Sequence, residues 1–312
     1  MYGEISLLDT TAFIKTKLLK HGFISLSDLL KSNSAQISKE TKISEVQIED
    51  LIKQAHIYEN KIDSYLRDQR VINDRIVTLC KNIDKVLGNG IRLGGVHEIV
   101  GCPGMGKTQI LMQICHTVQI PEELGGLNGC SLYIDTDGNF SQSRLRQITE
   151  GYASYFLKNW GIEINKRKTW ENIDYVRVTS EQQLLLLLDN IAQYLKLNCK
   201  LIVIDSIGFL LKEMQTASNV QKAKIMTRIG LKMQELACSR KLAVVVANKI
   251  TFHEGRGQKP QFGESWSSVL SSSLYLGIAE NSSQRCATMI KGGLTEDLLT
   301  FDIHSDGLYD LD

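Results

Sequence analysis

Residues Gly101-Cys102-Pro103-Gly104-Met105-Gly106-Lys107-Thr108 spell G-x-x-x-x-G-K-T. The glycines let such a loop curl until successive backbone N–H groups face one point and cradle phosphate oxygens. Lys107 can then reach the β/γ-phosphates of a nucleotide and Thr108 can ligate Mg²⁺, while the helix that starts here turns its positive end toward the anion. A phosphate loop needs an acidic partner. Leu201-Ile-Val-Ile-Asp205 supplies four apolar residues and then a carboxylate placed to hold the hydration shell of Mg²⁺ from a strand tip. A third acidic segment, Asp135-Thr136-Asp137-Gly138-Asn139-Phe140, could polarise a water that attacks the γ-phosphate. Asp135 and Asp137 fall on the same side of an extended segment, so spacing leaves both open.

These residues need a sheet to hold them. Buried strands are predicted at 95–100, 131–135, 201–205 and 242–247, with helices at about 109–116, 141–158, 181–196 and 219–238. Continuous apolar strands separated by helices predict an α/β fold, a mainly parallel sheet flanked by helices. Three short runs, 273–278, 286–290 and 298–303, predict an antiparallel extension. Ahead of this core, apolar residues recur at helical spacing at Ile14, Leu18, Leu19, Leu26, Leu29, Leu30, Ile48, Leu51 and Ile52. They predict a small helical domain over 1–59, followed by a polar linker over 60–77 and an α/β domain carrying the phosphate loop over 78–312.

Composition narrows the classes. The chain has 312 residues, 36 Lys+Arg against 35 Asp+Glu and a net charge of +1, so no strongly basic domain announces a nucleic-acid binder. A local basic stripe is still compatible with that total. Seven cysteines without C-x-x-C spacing argue against a disulfide scaffold or a zinc site and for reduced thiols. The opening residues lack a basic n-region and an apolar h-region, and no apolar run reaches membrane-spanning length. A soluble intracellular chain without membrane association is expected.

Taken together, Gly101–Gln109, Tyr133–Phe140 followed by Arg144, and Ile202–Ser206 resemble the RecA-like eukaryotic recombinases, the Rad-fifty-one family. Segments 118–126 and 262–266 look most like one paralogue branch of it. The resemblance covers about 78–305 and, more loosely, the N-terminal helices. It implies a RecA-like P-loop ATPase core, ATP and Mg²⁺ as cofactors, and work in homologous recombination in the nucleus. It also implies partners: other recombinase paralogues, the main strand-exchange recombinase, and single-stranded DNA. Gln109 and Arg144 join the loop as nucleotide-binding residues, Arg144 as the arginine that stacks on adenine. Asp137 matches the residue that activates the attacking water, and Asn248-Lys249 an Asn-Gln pair whose Gln senses the γ-phosphate. Lys107, Asp137 and Lys249 are thus the expected catalytic residues, and Thr108 and Asp205 the metal ligands.

Several positions depart from the family. Asp137 is one methylene shorter than the usual Glu, which retracts its carboxylate by roughly 1.5 Å, so hydrolysis is expected to be slow. Lys249 puts a cation where the sensor is neutral. Asp63-Ser-Tyr-Leu66 is a poor substitute for the Phe-x-x-Ala polymerisation anchor, and Lys42-Ile-Ser44 lacks the glycine of the helix-hairpin-helix turn. A partner-docking role for that module is as compatible as DNA binding. The family's DNA loops fall at about 213–224, offering Lys222 and Lys224, and 250–263, where Arg256 and Lys259 interleave with Phe252, His253 and Phe262. Two function classes follow: a slow DNA-dependent ATPase that binds single-stranded DNA in a mediator complex, or an adaptor in which ATP staples a protein interface without hydrolysis or DNA contact.

Overall fold

The computed structural model describes residues 5, 8–56, 74–209, 218–253, 257–260, 262, 266–279, 283–293 and 297–311. These fall into two compact units, one holding the described residues up to 56 with the stretches 123–125 and 157–162, the other holding the rest. Most of the expected linker, including Asp63–Leu66, lies outside the described residues.

The N-terminal unit packs α1 (Ala12–Lys20), α2 (Leu26–Leu30), α3 (Ser34–Thr41) and α4 (45–56) around Leu18, Leu29, Ile37 and Ile48. Each start is set locally. The Thr11 hydroxyl accepts from the Ile14 amide, and the Asn33 side chain accepts from the Ala35 amide. Leu19 and Leu30 do not reach the centre as the spacing predicts: Leu19 is exposed and Leu30 only edges the core. Lys42, which ends α3, takes the left-handed conformation at φ 54°, so the turn keeps its shape without the glycine that suits it.

In the larger unit, β1 (Arg75–Ile76) and β2 (Ile91–Arg92) pair antiparallel and bracket α5 (Lys81–Val86). Residues 75 and 76, at the end of the expected linker, are therefore strand. The main sheet comprises β3 (Val96–Gly101), β4 (Cys130–Asp135), β5 (Ile173–Arg177), β6 (Cys199–Asp205), β7 (Ala243–Asn248), β10 (Ser272–Ile278), β11 (Arg285–Lys291), β12 (Leu299–His304) and β13 (Gly307–Asp310). A separate hairpin is formed by β8 (Ile250–His253) and β9 (Gly257–Pro260). Across the main sheet the order is β13-β12-β11-β10-β3-β7-β6-β4-β5. From β5 through β10 neighbours are parallel, and from β10 through β13 they are antiparallel.

Alternation along the strands divides the core in two. Leu201 and Val203 join a cluster with Ile110, Ile114 and Ile148, from α6 (Lys107–Thr117) and α7 (Gln142–Trp160). Ile202 and Ile204 face the opposite way, onto Leu184 and Leu188 of α9 (Glu181–Asn190) and Ile229 and Met233 of α10 (Asn219–Arg240). The remaining helix, α8 (Lys166–Glu171), precedes β5. A sheet buried on both faces by helices is the α/β arrangement expected from sequence. Among the described residues, no helix is long and apolar enough to cross a membrane.

Candidate nucleotide site

Because β3, β4, β6 and β7 run parallel, their C-terminal tips deliver 102–106, 136–138, Ser206 and Lys249 to one edge of the sheet. Ligands of open α/β sheets bind at such an edge. Gly104 and Gly106 have φ of +84° and +100°, which only glycine adopts freely. At Gly106, an added Cβ would also lie 2.3 Å from Ile303 Cδ1.

Lys107 Nζ donates to the carbonyls of Gly101 at 2.7 Å and Cys102 at 2.8 Å, folding over the loop that precedes it. Burial lowers its pKa, and the Asp205 carboxylate opposes that shift. Thr108 Oγ1 and the Tyr133 hydroxyl each donate to Asp205 Oδ2 at 2.7 Å. Burial raises the Asp205 pKa, and these two hydroxyls pull against it.

The two carboxylates left open by spacing have different surroundings. Asp135 is buried, and it accepts from Arg177 Nη1 at 2.9 Å, the Gly138 amide at 2.7 Å and the Tyr175 hydroxyl at 3.1 Å. Its lone pairs tie β4 to β5. Asp137 faces the cleft, accepting from Ser206 Oγ at 2.9 Å with Lys249 Nζ at 3.4 Å from the same Oδ2.

A cleft of about 440 Å³ joins these groups, lined by Pro103, Gly104, Gly106 through Gln109, Asp137, Asp205 and Lys249 among others. Gly101, Cys102, Met105 and Arg144 do not line it. Gly101 and Cys102 contribute carbonyls to Lys107, and Met105 packs against the core. The Arg144 guanidinium bonds to Gln109, to Gln147 and to the carbonyls of His304 and Ser305. The residues present fit Mg²⁺-ATP: a left-handed glycine cradle, a lysine at the helix start, and a hydroxyl–carboxylate pair of hard oxygen donors.

Five residues in or behind the cleft had no role in the sequence reading. Tyr133 shares a strand face with Asp135, but an apolar strand gives no sign that its hydroxyl reaches Asp205. Ser206 directly follows the acidic strand tip and was legible there. Arg285 and Ile303 enter the cleft from β11 and β12, more than 170 residues from the loop in sequence, with no local signal. Glu98 is a buried acid inside β3. It accepts from Asn248 Nδ2 at 2.7 Å, Trp266 Nε1 at 2.8 Å and Ser273 Oγ at 2.6 Å. This network pins β3, and hence the loop after it, to β7 and β10.

Of the expected DNA contacts, Arg256 lies outside the described residues and Lys259 sits in β9, where only the backbone is described. Lys222 and Lys224 lie in the first turns of α10.

Comparison with known proteins identifies the family. The chain is 27% identical to "DNA repair protein RAD51 homolog 3" of Cricetulus griseus over 99% of this chain and 93% of the relative. It is 30% identical to the protein of the same name from Dictyostelium discoideum, over 77% of this chain and 66% of that one. "DNA repair and recombination protein RadA" of Aeropyrum pernix is 27% identical over 75% of this chain and 72% of its own length. The paralogue branch resembled by 118–126 and 262–266 is therefore that of RAD51 homolog 3. Residues 67–311 match the Rad51 family as a whole, a span that takes in the phosphate loop, all the strand-tip residues and the antiparallel extension: the chain belongs to the Rad51 family.

Proposed function

We propose that this protein is an ATP-binding recombinase paralogue of DNA repair and homologous recombination, acting on single-stranded DNA within a hetero-oligomer and hydrolysing ATP slowly. The observation that carries the reading is the convergence of Lys107, Thr108, Asp205, Asp137 and Lys249 on one cleft. Relatives along most of the chain carry names of DNA repair and recombination proteins, which supports the pathway; the eukaryotic relatives among them favour a nuclear location. Other paralogues and the main strand-exchange recombinase are the expected partners. Arg256 and Lys259 are the proposed DNA contacts.

In this reading Gly101–Gln109 hold the nucleotide, with Arg144 beside its base. Thr108 and Asp205 hold Mg²⁺, which when bound neutralises phosphate charge. Lys107 leaves the Gly101 and Cys102 carbonyls for the β/γ-phosphates. Asp137 holds the attacking water as hydrogen-bond acceptor and receives its proton. Lys249 sets its ammonium against the γ-phosphate.

A second reading has a specific observation in its favour. Lys249 and Ser206 both engage Asp137, the one carboxylate suited to act as base. A carboxylate whose oxygen is already engaged in this way suits an adaptor in which ATP serves as a staple. Phosphate release in a single turnover, with and without single-stranded DNA, separates the two. Slow release accelerated by DNA supports the ATPase. Tight ATP binding with no release, unchanged by DNA, supports the adaptor.

A further inference from the structure

The antiparallel half of the sheet brings one more cation to the nucleotide edge. β10 runs parallel to β3 with Leu276 opposite Gly101, so its far end lies beside the phosphate loop. β11 sets out from that end, with Arg285 opposite Ile278. β12 returns to it, with Phe301 opposite Arg285. The start of β11 and the end of β12 are therefore the parts of the extension that can face a bound nucleotide, and Arg285 and Ile303 line the cleft.

Arg285 is held as a ligand-binding arginine is held. Its Nη1 donates to Asp302 Oδ1 at 3.0 Å, and Asp302 is itself fixed by the Ile303 amide, which donates to the same oxygen at 2.8 Å. His304 Nε2 lies 3.5 Å from the other Asp302 oxygen. Yet the buried Arg285 Nε has no hydrogen-bond partner among the described residues. An arginine present only for structure would have this donor filled, because a buried donor without a partner costs about 1–3 kcal/mol. The pair itself is one-third exposed on each side and contributes little to stability. Arg285 lines the cleft together with Pro103, Gly104 and Lys107, and its planar fork matches the geometry of phosphate oxygens.

We propose that Arg285 is a phosphate-contacting residue of this chain, held at the cleft wall by Asp302 and donating to the phosphate tail of a bound nucleoside polyphosphate. The proposal rests on the nucleotide-binding reading above. It makes the antiparallel extension part of the binding site, so that phosphate affinity depends on residues of β11 and β12 as well as on the loop after β3.

Equilibrium titration of the full chain with Mg²⁺-ATP and, separately, with adenosine tests it, using the wild type, Arg285→Ala and Arg285→Lys. Arg285→Ala should weaken ATP binding by about 10- to 100-fold, the loss expected for hydrogen bonds to a charged group. It should leave adenosine binding unchanged, since adenosine has no phosphate. Arg285→Lys should recover part of the loss through charge without the fork. Equal affinity of Arg285→Ala and wild type for ATP overturns the proposal, as does an equal weakening toward adenosine, which would mark a structural role. A wild-type chain that takes up neither ligand overturns the nucleotide-binding reading itself.

Discussion

Lys249 Nζ lies 3.4 Å from Asp137 Oδ2, so the proposed sensor cation is the counterion of the proposed base. The two groups hold each other in opposite roles. The ammonium occupies the carboxylate oxygen that would accept from a water, and the carboxylate holds the ammonium back from a phosphate in the cleft.

The pair predicts the direction of two rate changes. Lys249→Gln should raise single-turnover hydrolysis several-fold, because Asp137 Oδ2 is then free of the ammonium and open to a water, and Asp137→Asn should nearly abolish it. Asp137→Glu should also speed hydrolysis by restoring reach toward the water. Equal rates for the wild type and Asp137→Asn would remove Asp137 from the mechanism.

Lys107→Ala should reduce Mg²⁺-ATP affinity by two orders of magnitude or more, since the loop has no other mobile cation. The unliganded protein should lose little stability, because Lys107 itself lines the cleft and Cys102, one of its two carbonyl partners, is only partly buried, so water can take the ammonium's place. Calorimetric titration beside thermal unfolding reads both quantities.

Glu98→Ala should cost about 3–5 kcal/mol of unfolding free energy. The substitution strands three donors, on Asn248, Trp266 and Ser273, in a fully buried layer. Denaturant titration measures the loss. A cost below about 1 kcal/mol would mean that the network is not what fixes β3.

His116 ties α6 to α7, one ring nitrogen bonding the Met112 carbonyl and the other the Thr149 hydroxyl. Full burial lowers its pKa from 6.5 to about 4. Between those values the unfolded chain binds the extra proton, so this residue's contribution to stability is intact above about 6.5 and is lost as pH falls toward about 4. In that window, stability of the wild type should fall more steeply with acid than stability of His116→Asn, by about one proton in slope. Parallel slopes would show that His116 protonates without unfolding.

Much of this could be read from the chain, for reasons that differ by element. The parallel strands were legible because burial on both faces makes them continuous runs such as Leu201-Ile-Val-Ile, whatever their neighbours. The phosphate loop and Asp205 were legible because their chemistry is local, within a loop or at a strand tip. β5 was missed. It is an edge strand only partly buried, whose Asp174 and Arg177 break any apolar pattern. β13, four residues long, was missed because the turn before it and its own Tyr309 and Asp310 read as surface. Spacing left Asp135 and Asp137 open and the family resemblance favoured Asp137; the partners that occupy Asp135, Arg177 and Tyr175, belong to that unrecognised strand. Arg144 illustrates the limit from the other side: its position was legible, but its partners, the His304 and Ser305 carbonyls, are set by a hairpin far along the chain.

The wall formed by Arg285 and Ile303 has a consequence for how the protein is made. A ribosome that has released the phosphate loop, both acidic strand tips and Lys249 has still not released the strands that close the cleft. The growing chain thus carries the phosphate loop for nearly two hundred residues before the cleft around it is complete. Saturating ATP can stabilise the finished chain by mass action, but it gives much less help to the nascent one. Folding of the parallel half must then rely on its own buried layers, and shortened chains that end before β11 should gain little from added nucleotide.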